Sequence, residues 1–163
     1  MTEFELATAN DLPKIVEIYN QAIPGRLATA DLDPVTVASK QAWFQAFDAN
    51  QHPIWVIKVN HQIAGWVSLA AFHERAAYRK TVEISIYFDQ QFQHQGLGQQ
   101  ALTFVETQVK RLGVTTIVAL IFAHNQPSQG LFLKNGFEKW AHLPDVAELD
   151  EQSASVDILG KHY

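Results

Sequence analysis

The spacing of hydrophobic positions changes several times along this chain, and each change marks a new element. Phe4, Leu6 and Thr8 alternate, which predicts a short opening strand. Leu12, Ile15, Val16, Ile18 and Tyr19 then recur at helical spacing. Asn10 or Asp11 can cap that helix, Pro13 is tolerated in its first turn, and Pro24-Gly25 ends it. A polar loop to Asp33-Pro34 precedes a second helix, predicted over roughly Val35 to Asn50 and bearing Val37, Trp43, Phe44 and Phe47.

From Ile54 to Phe72 the period becomes two. Ile54–Val59 and Ile63–Leu69 read as a hairpin turning at Asn60-His61. Thr81–Phe88 is rich in β-branched and aromatic residues and reads as a buried strand. Leu97, Ala101, Leu102, Val105 and Val109 return to helical spacing, predicting a helix from about Gly96 to Arg111. Thr115–Phe122 is an apolar run of strand length, and Ser128–Asn135 a short helix. A last hairpin, Glu138–Leu143 and Ser153–Leu159, is expected around an acidic loop, Asp145–Gln152. The order β-α-α-β-β-β-α-β-α-β-β predicts an α/β fold with a mixed sheet, about seven strands and four helices, in one domain over residues 1–163.

Composition narrows the function. A net charge of −5 argues against broad nucleic-acid binding, which draws its affinity from cationic side chains. No apolar run has membrane-spanning length, and Met1–Glu5 lacks a basic, apolar signal pattern, so a cytoplasmic location is expected. There is no cysteine, which excludes disulfides, thiolate zinc sites and a covalent cysteine intermediate. His73-Glu74 has no second histidine at zinc-ligand spacing, so no metal is expected. Trp43, Trp55, Trp66 and Trp140 lie on periodic faces, where core packing is the expected role.

The junction between the Thr81–Phe88 strand and the following helix carries the chemistry. Gln93-His94-Gln95-Gly96-Leu97-Gly98 is a glycine-rich turn feeding a helix N-terminus, where unpaired N–H groups suit a phosphate or pyrophosphate. A dinucleotide site would want a third glycine, yet Ala101 follows Gly98 by three, and four strands already precede the motif. The Gly-Lys-Ser/Thr of a Walker loop is missing too.

The segment resembles the Q/R-x-x-G-x-G/A signature of the Gcn5-related N-acetyltransferases. Asn125–Phe137, with Asn, then Ser128, then a helix closed by Gly136-Phe137, is similar to that family's other acetyl-CoA segment. Arg75-Ala76-Ala77-Tyr78-Arg79-Lys80-Thr81-Val82-Glu83 through Tyr87 resembles the R-x-A-Y-x-x-T-V-E segment of phosphinothricin acetyltransferases. Tyr19-Asn20 and Trp43-Phe44 also resemble that subfamily and its relatives acting on methionine sulfoximine or methionine sulfone.

The resemblance implies transfer of an acetyl group from acetyl-CoA, held as co-substrate, directly to the amine of a small amino-acid-like molecule. Glu83, the only acid in its strand, would be the base; partial burial would raise its pKa. Its bland alternative is a solvated carboxylate or one paired with Arg75 or Arg79. Ile86, Tyr87 and Phe88 would hold the pantetheine arm like an added strand, with an N–H near Tyr87 serving the thioester oxygen. Gln93, His94, Gln95, Gly96, Leu97, Gly98 and Gln99 would cradle the pyrophosphate, while Asn125 and Ser128 would reach the same cofactor. Asn125 could equally be only a helix cap.

Arg75 is the candidate for a substrate carboxylate, or else a solvated loop arginine; Tyr78 is a pocket wall or a core anchor. Phe132 stands where relatives carry tyrosine or histidine as proton donor, which leaves water, His124, Tyr78 or Tyr87 for the departing thiolate. The acidic Glu148–Gln152 stretch departs from the basic, aromatic one of phosphinothricin enzymes. Rival acceptors are a protein N-terminus, a polyamine or an aminoglycoside, and a non-catalytic acetyl-CoA sensor is the rival of another class. The subfamily resemblance also implies a homodimer.

Overall fold

The computed structural model describes residues 1–163, with seven strands in one sheet and four helices packed on it. The strands are β1 (Thr2–Leu6), β2 (Ile54–Val59), β3 (Gln62–Ala71), β4 (Thr81–Phe88), β5 (Thr116–Phe122), β6 (Glu138–Leu149) and β7 (Gln152–His162). The helices are α1 (Leu12–Ala22), α2 (Val37–Gln45), α3 (Leu97–Leu112) and α4 (Gln126–Lys134). The expected order of elements is therefore the observed one.

Two boundaries and one cap differ, each for a local reason. The helix expected over Val35–Asn50 is only nine residues long. Thr36 starts it, its hydroxyl accepting from Ser39 N–H at 3.0 Å, and Ser39 Oγ accepts from Thr36 N–H in return. Past its end, the Asp48 carboxylate takes the Asn50 and Gln51 amides, both at 2.8 Å, and fixes a turn instead of more helix. At α1, Asp11 does not cap forward: its carboxylate accepts from Thr8 N–H at 2.8 Å, across a short 3-10 turn, Ala9–Asp11.

The expected acidic loop is largely strand. β6 runs on to Leu149, and the chain reverses only at Asp150-Glu151, both at positive φ as a type I′ turn requires. Leu149, Ala154 and Phe122 form a small buried cluster that holds this extension. Glu148 is exposed on what is the edge strand, where charge blocks further pairing.

The sheet order is β1-β2-β3-β4-β5-β7-β6. Every pair is antiparallel except β4–β5, whose crossover is α3, as parallel neighbours require. One side of the sheet packs on α3 and α4 through Val82, Ile84, Ala101, Val105, Ile117 and Leu159. The other side meets α1 through Ile15, Ile18, Val56 and Trp66. Each fully buried aliphatic side chain contributes about 1.5–3 kcal/mol to holding these layers. Trp55 and Trp66 are buried as expected, but Trp140 is exposed and lies flat over Gly160.

The feature that positions the site is a split in the sheet. β4 and β5 pair only at Thr81, Val82 and Glu83, against Thr116, Ile117 and Val118. Beyond those rungs β4 stays with β3 and β5 stays with β7, so the two strands diverge and leave a wedge between them.

Candidate active site

The wedge is a cavity of about 450 Å³ lined by Glu83–Phe88 of β4, Ala119–Phe122 of β5 and the loop Leu27–Ala30. Asn125, Ser128, Leu131 and Phe132 close it from α4. Strand alternation divides the β4 side chains. Ile84, Ile86 and Phe88 belong to the core under α3, while Tyr87 packs with the α1 side, where Glu83 and Ser85 follow by register.

The same alternation decides which backbone groups face the wedge. Asp89 N–H donates to Ala64 O at 2.8 Å, and Phe72 N–H to Thr81 O at 3.4 Å, so odd-numbered residues of β4 bond to β3. Thr116 N–H donates to Lys80 O at 3.3 Å, so even-numbered residues face β5. The N–H expected to be free at Tyr87 is therefore spent on β3. The donors left open where β5 departs are those of Ile86 and Phe88.

Glu83 lines the wedge, forms no ion pair, and has its carboxyl pushed above the usual range by burial. It pairs with neither Arg75 nor Arg79. Arg75 and Tyr78 are exposed on the segment before β4 and do not line the wedge; Arg75 N–H donates to His73 Nδ1 at 3.2 Å. Tyr78 packs edge-on against Phe72.

The turn before α3 has a geometry that would suit an anion. Gly96 sits at φ +74° and His94 at φ +61°, which curls the chain so that successive amides point the same way. The N–H groups of Gln95, Gly96, Leu97, Gly98 and Gln99 meet no acceptor in the protein. Gly98 serves packing instead: a Cβ there would lie 2.9 Å from Leu131 Cδ2, so the glycine lets α3 close on α4. Gln99 Nε2 donates to Asn135 Oδ1 at 2.6 Å and fastens the same pair of helices.

Asn125 caps α4. Its Oδ1 accepts from Ser128 N–H at 3.2 Å, and its Nδ2 donates to Leu27 O at 3.1 Å. A cofactor reaching Asn125 would exchange with that loop carbonyl. Phe132 is buried edge-on against Phe137 and can supply no proton. Tyr87 Oη donates to Ala28 O at 3.0 Å, and burial pushes its pKa up to about 12, which makes it a poorer acid than ordinary tyrosine. His124 Nε2 lies 2.9 Å from Arg26 O.

Sequence reasoning passed over the roof of the site. The loop between α1 and α2 arches over the wedge, tied down by Arg26, which pairs with Asp150 at 2.6 Å and donates to Ile23 O and Leu32 O. Thr29 is buried there, and Tyr19 Oη bonds both Thr29 Oγ1, at 2.5 Å, and Asp31. Only the bracketing Pro24-Gly25 and Asp33-Pro34 hinted at a defined loop.

The residues present suit acetyl-CoA: orphan amides for a pyrophosphate, two free strand donors for a pantetheine arm, and a wedge between. Comparison with known proteins agrees. The model described as "Acetyltransferase (GNAT) family" matches residues 12–137. YwnH of Bacillus subtilis, whose name assigns it provisionally to phosphinothricin acetylation, is 38% identical over 96% of each chain. A methionine sulfoximine/methionine sulfone acetyltransferase of Pseudomonas paraeruginosa is 33% identical over 85% of this chain and 81% of that one. A phosphinothricin acetyltransferase from Sinorhizobium meliloti, solved with acetyl-CoA, superimposes with a TM-score of 0.91 at 25% identity, over 99% of this chain and 88% of the other.

Proposed function

This chain belongs to the GNAT family of acetyltransferases, and we propose that it acetylates the amino group of a small amino acid or amino-acid analogue, with acetyl-CoA as donor. The observation that carries the reading is Glu83: an unpaired, half-buried carboxylate on β4, the strand whose free Ile86 and Phe88 amides line the same wedge.

Acetyl-CoA supplies the activated acetyl thioester when bound. Gly96–Gln99 would hold its pyrophosphate on orphan amides, with Gln93–Gln95 shaping the turn. Ile86 and Phe88 would hydrogen-bond the arm as an added strand, and one of these N–H groups would steady the thioester oxygen as negative charge develops there. Asn125 and Ser128 would close on the arm from α4. Glu83 takes the proton that the acceptor amine must lose, and its raised pKa strengthens it as a base. With Phe132 apolar and Tyr87 bonded to Ala28, water returns the proton to the departing thiolate.

Arg75 and Tyr78 stand on the exposed segment that enters β4 one strand repeat before Glu83, where a carboxylate-bearing acceptor arriving from solvent would meet them. The acidic turn is a weaker attraction for a polyamine or aminoglycoside, because Arg26 already neutralises Asp150. A homodimer would draw on exposed apolar side chains, and Phe72 and Tyr78 before β4, Leu120 on β5 and Trp140 on β6 are exposed. A monomer mass by sedimentation at micromolar concentration would refute that pairing.

Thiol release from acetyl-CoA across a panel of amines tests the activity, with Glu83→Gln beside the wild type. The variant should lose about 10²–10⁴-fold in kcat while binding acetyl-CoA as before. Equal turnover by the variant would remove Glu83 from the mechanism. Silence of the wild type toward every amino-acid analogue would overturn the acceptor class.

A further inference from the structure

A second, smaller chamber of about 190 Å³ lies between α1, α2 and the sheet, and it shares Ser85 and Tyr87 with the wedge. Its walls are four interlocked rings. Trp43 meets Trp66 at 5.6 Å between centroids, Trp66 stacks on Tyr87 at 4.9 Å, and Tyr19 meets Tyr87 at 5.2 Å. The polar atoms of three of these rings are turned away and satisfied by protein. Trp66 Nε1 donates to Ile15 O, Tyr87 Oη donates to Ala28 O, and Tyr19 Oη bonds Thr29 and Asp31.

The chamber therefore presents ring faces, aliphatic side chains, the Ser85 hydroxyl and one charge. That charge is Lys40 on α2, which also lines the chamber, with Nζ 5.4 Å from the Tyr19 centroid and 5.6 Å from that of Trp43. Its ammonium has no carboxylate at ion-pair distance. The ring faces hold the cation in place without using up its hydrogen bonds.

We propose that this chamber receives the side chain of the acceptor and that Lys40 reads oxygen atoms at its far end. The inference rests on the acetyltransferase reading above and deepens it to a substrate class. At about 30 Å³ for each water-sized group, the chamber holds roughly six heavy atoms, a side chain rather than a cofactor. Ser85 follows Glu83 on the same face of β4, about 6–7 Å further along the strand. An amino acid with its amine at Glu83 spans that repeat with a side chain of four or five heavy atoms. A sulfur or methyl group then lies on the rings, and sulfone, sulfoximine or phosphinate oxygens meet the ammonium. Lys40 is thus a specificity-determining residue, and an acceptor ending in plain hydrocarbon leaves its charge unanswered.

The test is kcat/KM for L-methionine sulfone against L-methionine, which share the backbone and differ in those oxygens. Wild type should prefer the sulfone. Lys40→Met should lower kcat/KM for the sulfone about tenfold to hundredfold and leave methionine within about twofold, while Lys40→Arg keeps the preference. A wild type indifferent to the oxygens, or a Lys40→Met enzyme that loses both substrates equally, overturns the role of Lys40 and leaves the acetyltransferase reading standing. No turnover of any amino acid by the wild type overturns both. Ser85→Val reports on the chamber independently of Lys40: it should suppress methionine and its sulfone while sparing alanine, and equal effects on all three would place the side chain elsewhere.

Discussion

Replacing Gly65 with alanine puts a methyl group where β3 backs the cleft edge of β4. Gly65 faces Phe88, and an added Cβ would lie 2.5 Å from Tyr87 O and 2.9 Å from Phe88 Cε1, with Phe88 Cδ1 nearer still. Ordinary contact begins at 3.4 Å, so the methyl is about 0.9 Å short of room against a backbone atom that cannot swing aside. Relief requires β3 and β4 to part at the rung beside Asp89 N–H···O Ala64, a 2.8 Å bond. Overpacking of this kind costs about 1–3 kcal/mol, and weakening the neighbouring hydrogen bond adds about 0.5–1.5 kcal/mol. The better conformational entropy of alanine returns about 0.5–1 kcal/mol. The expected net loss is about 1–3 kcal/mol, read by urea denaturation followed by circular dichroism. Because the displaced atoms belong to Tyr87 and Phe88, acetyl-CoA affinity by calorimetry should fall about tenfold as well. Gly130→Ala is the matched control: that glycine is exposed within α4 with nothing within 4 Å, so the variant should gain about 0.5–1 kcal/mol. A Gly65→Ala protein within about 0.5 kcal/mol of wild type, binding acetyl-CoA unchanged, would refute the claim that the β3 backbone fixes the cleft edge.

Asp157 is buried at 1% exposure, with Gln129 Nε2 at 3.0 Å, His142 Nδ1 at 2.6 Å and Lys139 Nζ at 3.2 Å around its carboxylate. Burial works to raise its pKa, but the hydrogen bonds from His142 and Lys139 and their charges outweigh it, and the value is lowered. Stability from this group is therefore complete above the unfolded value of about 3.9 and is lost as pH falls through the lower folded value. Asp157→Asn should cost about 1–3 kcal/mol at pH 7 and flatten the acid limb of a stability–pH curve; an unchanged limb would refute the assignment. Arg26→Ala removes the solvent-screened pair to Asp150, a minor contributor to stability, together with two bonds to its own loop. Its expected effect is on KM for the acceptor, raised several-fold with the unfolding midpoint nearly unmoved, and an unchanged KM would show that the roof stays in place without the tie.

Much of the molecule was legible in the residue pattern because local rules fix it. Leu12 to Tyr19 could only bury one side of a helix, Asn60-His61 could turn a tight hairpin, and Gly96 was needed where an L side chain is strained. The turn Gln93–Gly98 and Glu83, the proposed base, belong to that local grammar, as does the family resemblance they carry. Two misjudged stretches show its limit. The acidic run of β6 looked like a loop because alternation is weak there, and α2 looked longer because Asp48 ends it with a side-chain bond that periodicity does not record.

What the sequence by itself determined was the order of elements, the glycine turn before α3 and the family. Tertiary structure alone decided that β4 and β5 part after Glu83, since strand divergence depends on which neighbour each strand keeps. It moved the free cleft amides from Tyr87 to Ile86 and Phe88, because pairing parity is a property of two strands and not of one. It also brought Tyr19, Lys40, Trp43, Trp66 and Ser85 around one chamber from four separate elements. Residues that far apart in the chain share no periodicity, and only the packing of helices on a twisted sheet makes them neighbours.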